Sequence, residues 1–177
     1  TYANGNIDDG VTFDVICGAE ARTHWYVATT GSDNSGSGTL ASPLASIQTA
    51  IYAASSGDTV SVAAGTYVEN IDYNGKNISI IGEDRETTII DGNQAGSVVL
   101  FGSGVTQDAL LKNFSIINGN ASSESISSQG GGILCYTSTG VQNDAGSPTL
   151  ENLVIRDNYA ENYGGGISMN GEVTSYL

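Results

Sequence analysis

Apolar residues fall into two rhythms along this chain. Between Ser42 and Gly57 they follow helical spacing, with Leu44, Ile47, Ile51 and Ala54 on one face. Ser42 suits an N-cap, Pro43 suits the first helical position, and Gly57 stops the run. A short helix is therefore predicted near 42–56. From Asp58 onward the apolar runs are short, and each is closed by Gly, Asn or Asp. They are 59–62, 78–81, 88–90, 98–101, 114–117, 133–135, 153–155 and 167–169. No second helical stretch lies among them, which predicts an all-β chain of short strands.

Internal similarity decides how those strands are arranged. Lys76-Asn-Ile-Ser-Ile-Ile-Gly82 resembles Lys112-Asn-Phe-Ser-Ile-Ile-Asn118, and Glu151-Asn-Leu-Val-Ile-Arg-Asp157 resembles both. Gly130-Gly-Gly-Ile133 likewise matches Gly164-Gly-Gly-Ile167. Units on the order of 35 residues, each holding several short strands, fit the coils of a parallel β-helix better than a sandwich. Asn77, Asn113 and Asn152 then form a ladder, because stacked coils bring equivalent amides about 4.8 Å apart. The glycine triplets are expected to supply positive-φ turns. Asn77, Asn113 and Asn120 also begin Asn-X-Ser sequons. The first two read as ladder residues, and Asn120, in a polar stretch, is the better glycosylation acceptor.

Residues 1–24 stand apart from the repeats as an N-terminal extension, and residues 25–177 form the repeat domain. The extension holds one strand-like run from Val11 to Cys17, with Val11, Phe13 and Val15 on one face. Cys17 and Cys135 are the only cysteines, and they read as separate thiols rather than a disulfide. Five Lys and Arg oppose nineteen Asp and Glu, for a net charge of −14. Five scattered cations give no basic patch for nucleic acid, and an anionic membrane would repel the chain. No apolar run is long enough to span a bilayer. A start at Thr1 fits an exported chain that has lost its signal, or an excised piece.

Three stretches carry a family resemblance. They are Trp25-Tyr-Val-Ala-Thr-Thr-Gly-Ser-Asp33, Gly38 through Ile51, and Gly57-Asp-Thr-Val-Ser-Val-Ala-Ala-Gly-Thr-Tyr67. Together they resemble the opening of the pectin-lyase-like superfamily. More narrowly, they resemble large secreted bacterial surface proteins with parallel β-helix repeats and a DUF1565-type N-terminus. Ile89-Ile-Asp-Gly-Asn93 and the Gly-Gly-Gly-Ile repeats extend the similarity to about residue 170. The resemblance implies a right-handed single-stranded parallel β-helix whose first coil is closed by a cap helix at 42–56. It says little of function, since the superfamily holds lyases, hydrolases, adhesins and tailspikes.

The chemistry of such enzymes is hard to find here. A lyase of this superfamily needs several basic residues on adjacent coils, and only Lys76 and Lys112 look equivalent. The polygalacturonase pattern of clustered Asp beside Gly-His-Gly is missing, and His24, the single histidine, reads as a surface or cap residue. No catalytic residue is nominated. Tyr136, Tyr159 and Tyr163 fall near coil corners, where rings stack on sugars. Asp33, Asp84 and Asp157 are weak calcium candidates on donor type alone, and no cofactor is required. Nothing from Asn170 to Leu177 has the pattern of a cap, so the C-terminal end is expected to be open. The expected function is a non-catalytic structural or adhesive module, extracellular or at the cell surface. It associates with further coils or with copies of itself, head to tail, through a strand donated by residues 11–17. A glycan-binding module and a polysaccharide lyase are the alternatives.

Overall fold

The computed structural model describes residues 23–122, 129–136 and 146–169. Among them the chain is all-β with one helix. It runs β1 (His24–Val27), α1 (Ile47–Ala53), β2 (Thr59–Val62), β3 (Gly65–Val68) and β4 (Ile71–Asp72). Next come β5 (Ser79–Gly82), β6 (Thr88–Asp91), β7 (Val99–Phe101), β8 (Leu110–Lys112), β9 (Ser115–Ile117) and β10 (Asn120–Ala121). The last are β11 (Ile133–Cys135), β12 (Thr149–Glu151), β13 (Val154–Arg156), β14 (Tyr159–Ala160) and β15 (Ile167–Met169).

Three larger sheets result, with strand orders β1-β2-β5-β8-β12, β3-β6-β9-β13 and β4-β7-β11-β15, and β10 pairs with β14. Pairing between these strands is parallel throughout. Parallel neighbours need a long connection. Between β1 and β2 that connection runs through α1; from β2 onward it is a visit to the other larger sheets, made in the same order each time, and each new strand lies beside the previous one in its sheet.

Alternation fixes which side chains face inward. In β2 the pattern is half-buried Thr59, buried Val60, half-buried Ser61, buried Val62. Register then stacks like on like: Trp25, Val60, Ile80, Leu111 and Leu150 form one inner row. Tyr67, Ile90, Ile116 and Ile155 form a second. In the third sheet Val99, Ile133 and Ile167 align, as do Phe101, Cys135 and Met169. Tyr73 packs its ring 4.4 Å from that of Phe101, and its buried hydroxyl donates to Leu110 O at 2.9 Å. Each fully buried side chain of this kind contributes about 1.5–3 kcal/mol.

Several expectations are corrected. The helix begins at Ile47, not near Ser42, and its N-cap is Ser46, whose hydroxyl accepts the Thr49 N–H. Ser42 and Pro43 belong to an extended stretch. There Leu44 bridges to Val27 in parallel, with Leu44 N–H donating to Tyr26 O and Ala28 N–H to Leu44 O. Leu44 is buried as a strand added to the β1 edge, which outweighs its helical spacing. In the glycine triplets only Gly130 and Gly164 have positive φ, 65° and 59°. Gly131 and Gly132 are needed for close approach, since a side chain at either would strike the carbonyl of Tyr159 or Gly166. Strands β3, β4, β8, β10, β12 and β14 had no sequence counterpart.

Candidate interaction surfaces at the two ends

Helix α1 lays Ile47, Ala50 and Ile51, all fully buried, against β1, β2 and β4. A seven-residue helix leaves unpaired amides at its start. Two carboxylates take them. Asp33 Oδ1 accepts the N–H groups of Ala45 (2.8 Å) and Ser46 (3.0 Å). Glu69 Oε1 accepts Ile47 N–H and Oε2 accepts Gln48 N–H, both at 2.9 Å. Burial works against ionisation of Asp33, but hydrogen bonds from Ser46 and Ala45 outweigh it and hold the carboxyl below its usual range. At Glu69 burial dominates, and the Asp33 charge adds to it, so the carboxyl is pushed up despite its two amide donors.

The far end of α1 is closed by a lysine. Lys76 Nζ donates to the carbonyls of Ile51 (2.7 Å), Tyr52 (2.9 Å) and Ala54 (2.7 Å). A cation among terminal carbonyls also complements the helix dipole. The edge of β4 is covered by a side chain standing in for a strand: Gln48 Nε2 donates to Asp72 O (3.2 Å), and Asp72 N–H donates to Gln48 Oε1 (2.8 Å). The β1 edge is taken by residues 38–44, with Tyr26 N–H on Gly38 O at 3.0 Å. Glu69, Lys76 and Gln48 had no local signal, because their partners lie far away in sequence.

The other end differs. Among the described residues no strand follows β12, β13 or β15 in its sheet. Ile133 and Cys135 of β11 are 0% exposed, whereas Ile167 and Met169, their partners in β15, are 41% and 44% exposed.

The asparagine ladder is real for two of its three members. Asn152 Nδ2 donates to Asn113 Oδ1 (2.8 Å), and Asn113 Nδ2 donates to Gly82 O (3.1 Å). Both asparagines sit at positive φ, 64° and 50°, between strands of the first and second sheets. Asn77 is not stacked on them. Lys112 aligns with Ile81, which places Asn113 beside Gly82. Asn77 instead accepts from Thr106 N–H and donates to Gly104 O. Lys76 and Lys112 are therefore not equivalent either: Lys112 pairs with Glu151 at 2.7 Å. At the third sequon, Asn120 Oδ1 is buried without a partner, which does not favour it as an exposed acceptor.

The three tyrosines are not brought together as one site. Tyr136 follows β11 at one end of the third sheet, half-buried over Gly102. Tyr159 pairs with Asn120, and Tyr163 bridges to Gln129, ahead of β15 at the opposite end of that sheet. The calcium candidates are also scattered: Asp33 serves the helix start, Asp84 Oδ1 accepts Glu86 N–H, and Asp157 pairs with Arg156. Among the described residues no group of three or more His, Cys, Asp or Glu is placed to hold a metal ion. His24 is exposed on β1, with its ring stacked on Tyr26 and Nε2 2.8 Å from Ser61 Oγ. Cys135 is a free, buried thiol, and burial pushes it up to about 12. Val11, Phe13, Val15 and Cys17 lie outside the described residues. No described helix is long and apolar enough to cross a membrane. Compared with family models, with curated proteins and with solved structures, the chain finds no match in any of the three.

Proposed function

We propose that this chain is a non-catalytic module of an extracellular or cell-surface protein, folded as a right-handed parallel β-helix, whose task is to stack end on end. The cyclic visiting of three parallel sheets supports the β-helix. The general hand of parallel crossovers supports its right-handedness. The observation that carries the functional reading is the contrast between a first end sealed by α1 and last strands that expose Ile167 and Met169. A sheet edge with apolar side chains on view is a template for another strand. Catalysis of the lyase type finds little support. Lys76, Lys112, Arg85 and Arg156 are engaged by helix carbonyls or neighbouring carboxylates, so none is poised as a base.

At the first end the β1 and β4 edges are already occupied and α1 covers the interior, which leaves a second copy little free edge to pair with. Association head to tail therefore runs through a donated strand, Val11 to Cys17, added to the exposed β15 edge of a neighbour. Sizing and electron microscopy of the purified chain test this. Filaments that vanish on deletion of residues 1–20 are the expected result. Filaments unchanged by the deletion would overturn the donor strand, and a chain that stays monomeric at high concentration would overturn stacking itself.

A further inference from the structure

The outer face of the first sheet carries a groove beside the β1 edge. It holds about 310 Å³ and is lined by Tyr26, Leu40, Pro43, Ser61, Ile81 and Glu83, with nearby backbone completing the floor. Tyr26, Ser61 and Ile81 lie side by side because β1, β2 and β5 pair in that register. Leu40 stands over them, 76% exposed, from the stretch that covers the β1 edge. Beside the floor the His24 ring stacks on Tyr26 at 4.6 Å and hydrogen-bonds the Ser61 hydroxyl. Mostly apolar clefts with a few fixed polar groups are the usual form of a binding site.

Charge narrows the choice of ligand. Glu83 is fixed at the rim, its N–H donating to Val62 O (2.9 Å) and its Oε2 accepting Ala64 N–H (3.0 Å). Two basic residues lie nearby, and neither neutralises it. Arg85 turns to Glu86 at 3.1 Å, and Lys112, beside Ile81 in register, is held by Glu151. An uncompensated carboxylate therefore borders apolar surface on a chain of net charge −14. We propose that this groove binds a peptide segment in which an apolar side chain is followed closely by Lys or Arg. The apolar side chain packs against Tyr26, Leu40 and Ile81, and the cation meets Glu83. Acidic peptides and polyanionic glycans are repelled by the same field.

An NMR titration of the whole chain tests this with three probes: acetyl-Phe-Lys-amide, acetyl-Phe-Glu-amide and methyl glucoside. The lysine peptide should shift the Tyr26, Ser61, Ile81 and Glu83 signals, and its affinity should fall as salt is added. Glu83→Gln should weaken it about fivefold or less, since the pair is solvent-exposed. Leu40→Ala should weaken it too while leaving the fold intact. Equal binding of the glutamate peptide, a stronger response to the glucoside, or no shift at the groove would each overturn the proposal. The groove lies away from β15, so failure here leaves the stacking proposal standing.

Discussion

The two ends of the molecule are made from the same strands and treated in opposite ways. At the first end the β1 and β4 edges are occupied, one by residues 38–44 and the other by the Gln48 amide, and a helix covers the apolar interior. At the other end the last strands of all three sheets carry no further strand among the described residues, and their inward side chains are partly exposed. Repeating strands need only local alternation to stack. Closing the stack needs residues outside the repeat: a helix, two carboxylates and a lysine whose sequence neighbours say nothing of their partners. Capping is the irregular and therefore informative part of such a chain.

The sharpest way to break this comparison is one substitution at two aligned positions. Ile133→Ala, in the closed interior, should cost about 2–5 kcal/mol in chemical denaturation. Ile167→Ala, aligned with it on the exposed strand, should cost less than about 1 kcal/mol. Equal losses would mean that the last strand is covered in solution.

Next comes the cap. Lys76→Met removes the donor to three carbonyls and should cost about 1–3 kcal/mol in the same measurement, with loss of α1 amide protection in hydrogen exchange. A smaller effect is expected along the asparagine ladder. Asn113→Ala, which loses two side-chain bonds and a residue type tolerant of positive φ, should destabilise by about 1–2 kcal/mol. Asn152→Ala, at the exposed end, should cost about half as much.

The smallest effect is pH dependence at the helix start, and its two carboxylates have opposite signs. The depressed carboxyl of Asp33 contributes stability above its ordinary value, and that contribution is lost as pH falls through the lowered one. The raised carboxyl of Glu69 favours the fold when protonated, so its contribution is present at acid pH and lost as pH rises through the raised value. Denaturation midpoints against pH should therefore lose their mildly acid gain in Glu69→Gln and their strongly acid loss in Asp33→Asn. Identical profiles for the two variants would sink this assignment.

Much of the strand content was readable because alternation and closing Gly, Asn or Asp residues are local. The runs at 59–62, 133–135 and 167–169 match β2, β11 and β15. What escaped has physical causes. Strand β8, Leu110–Lys112, runs almost directly into β9 with only Asn113 and Phe114 between them, and the likeness of Lys112-Asn-Phe-Ser-Ile-Ile117 to Lys76-Asn-Ile-Ser-Ile-Ile81 pairs Lys112-Asn113 with Lys76-Asn77 instead of with Ile81-Gly82. That single slip produced both the false third rung of the ladder and the false lysine pair. The helix start was misplaced because Leu44 satisfies either rhythm, and a free edge on β1 decided between them. The His24–Ser61 contact has no local signal, since it is a diagonal contact set by the pairing of β1 with β2, in which His24 aligns with Thr59 and Tyr26 with Ser61.

The thiol of Cys135 has a practical consequence. It sits in β11, flanked on both sides by β7 and β15, and its environment strongly disfavours the reactive thiolate. An alkylating reagent can modify it only when that strand lifts away from its neighbours. The rate of modification at this position, resolved by mass spectrometry from any at Cys17, is therefore a built-in clock for opening events. A rate that follows global stability would mean that the stack melts as one unit. A faster rate, insensitive to denaturant, would mean that it peels strand by strand from the exposed end.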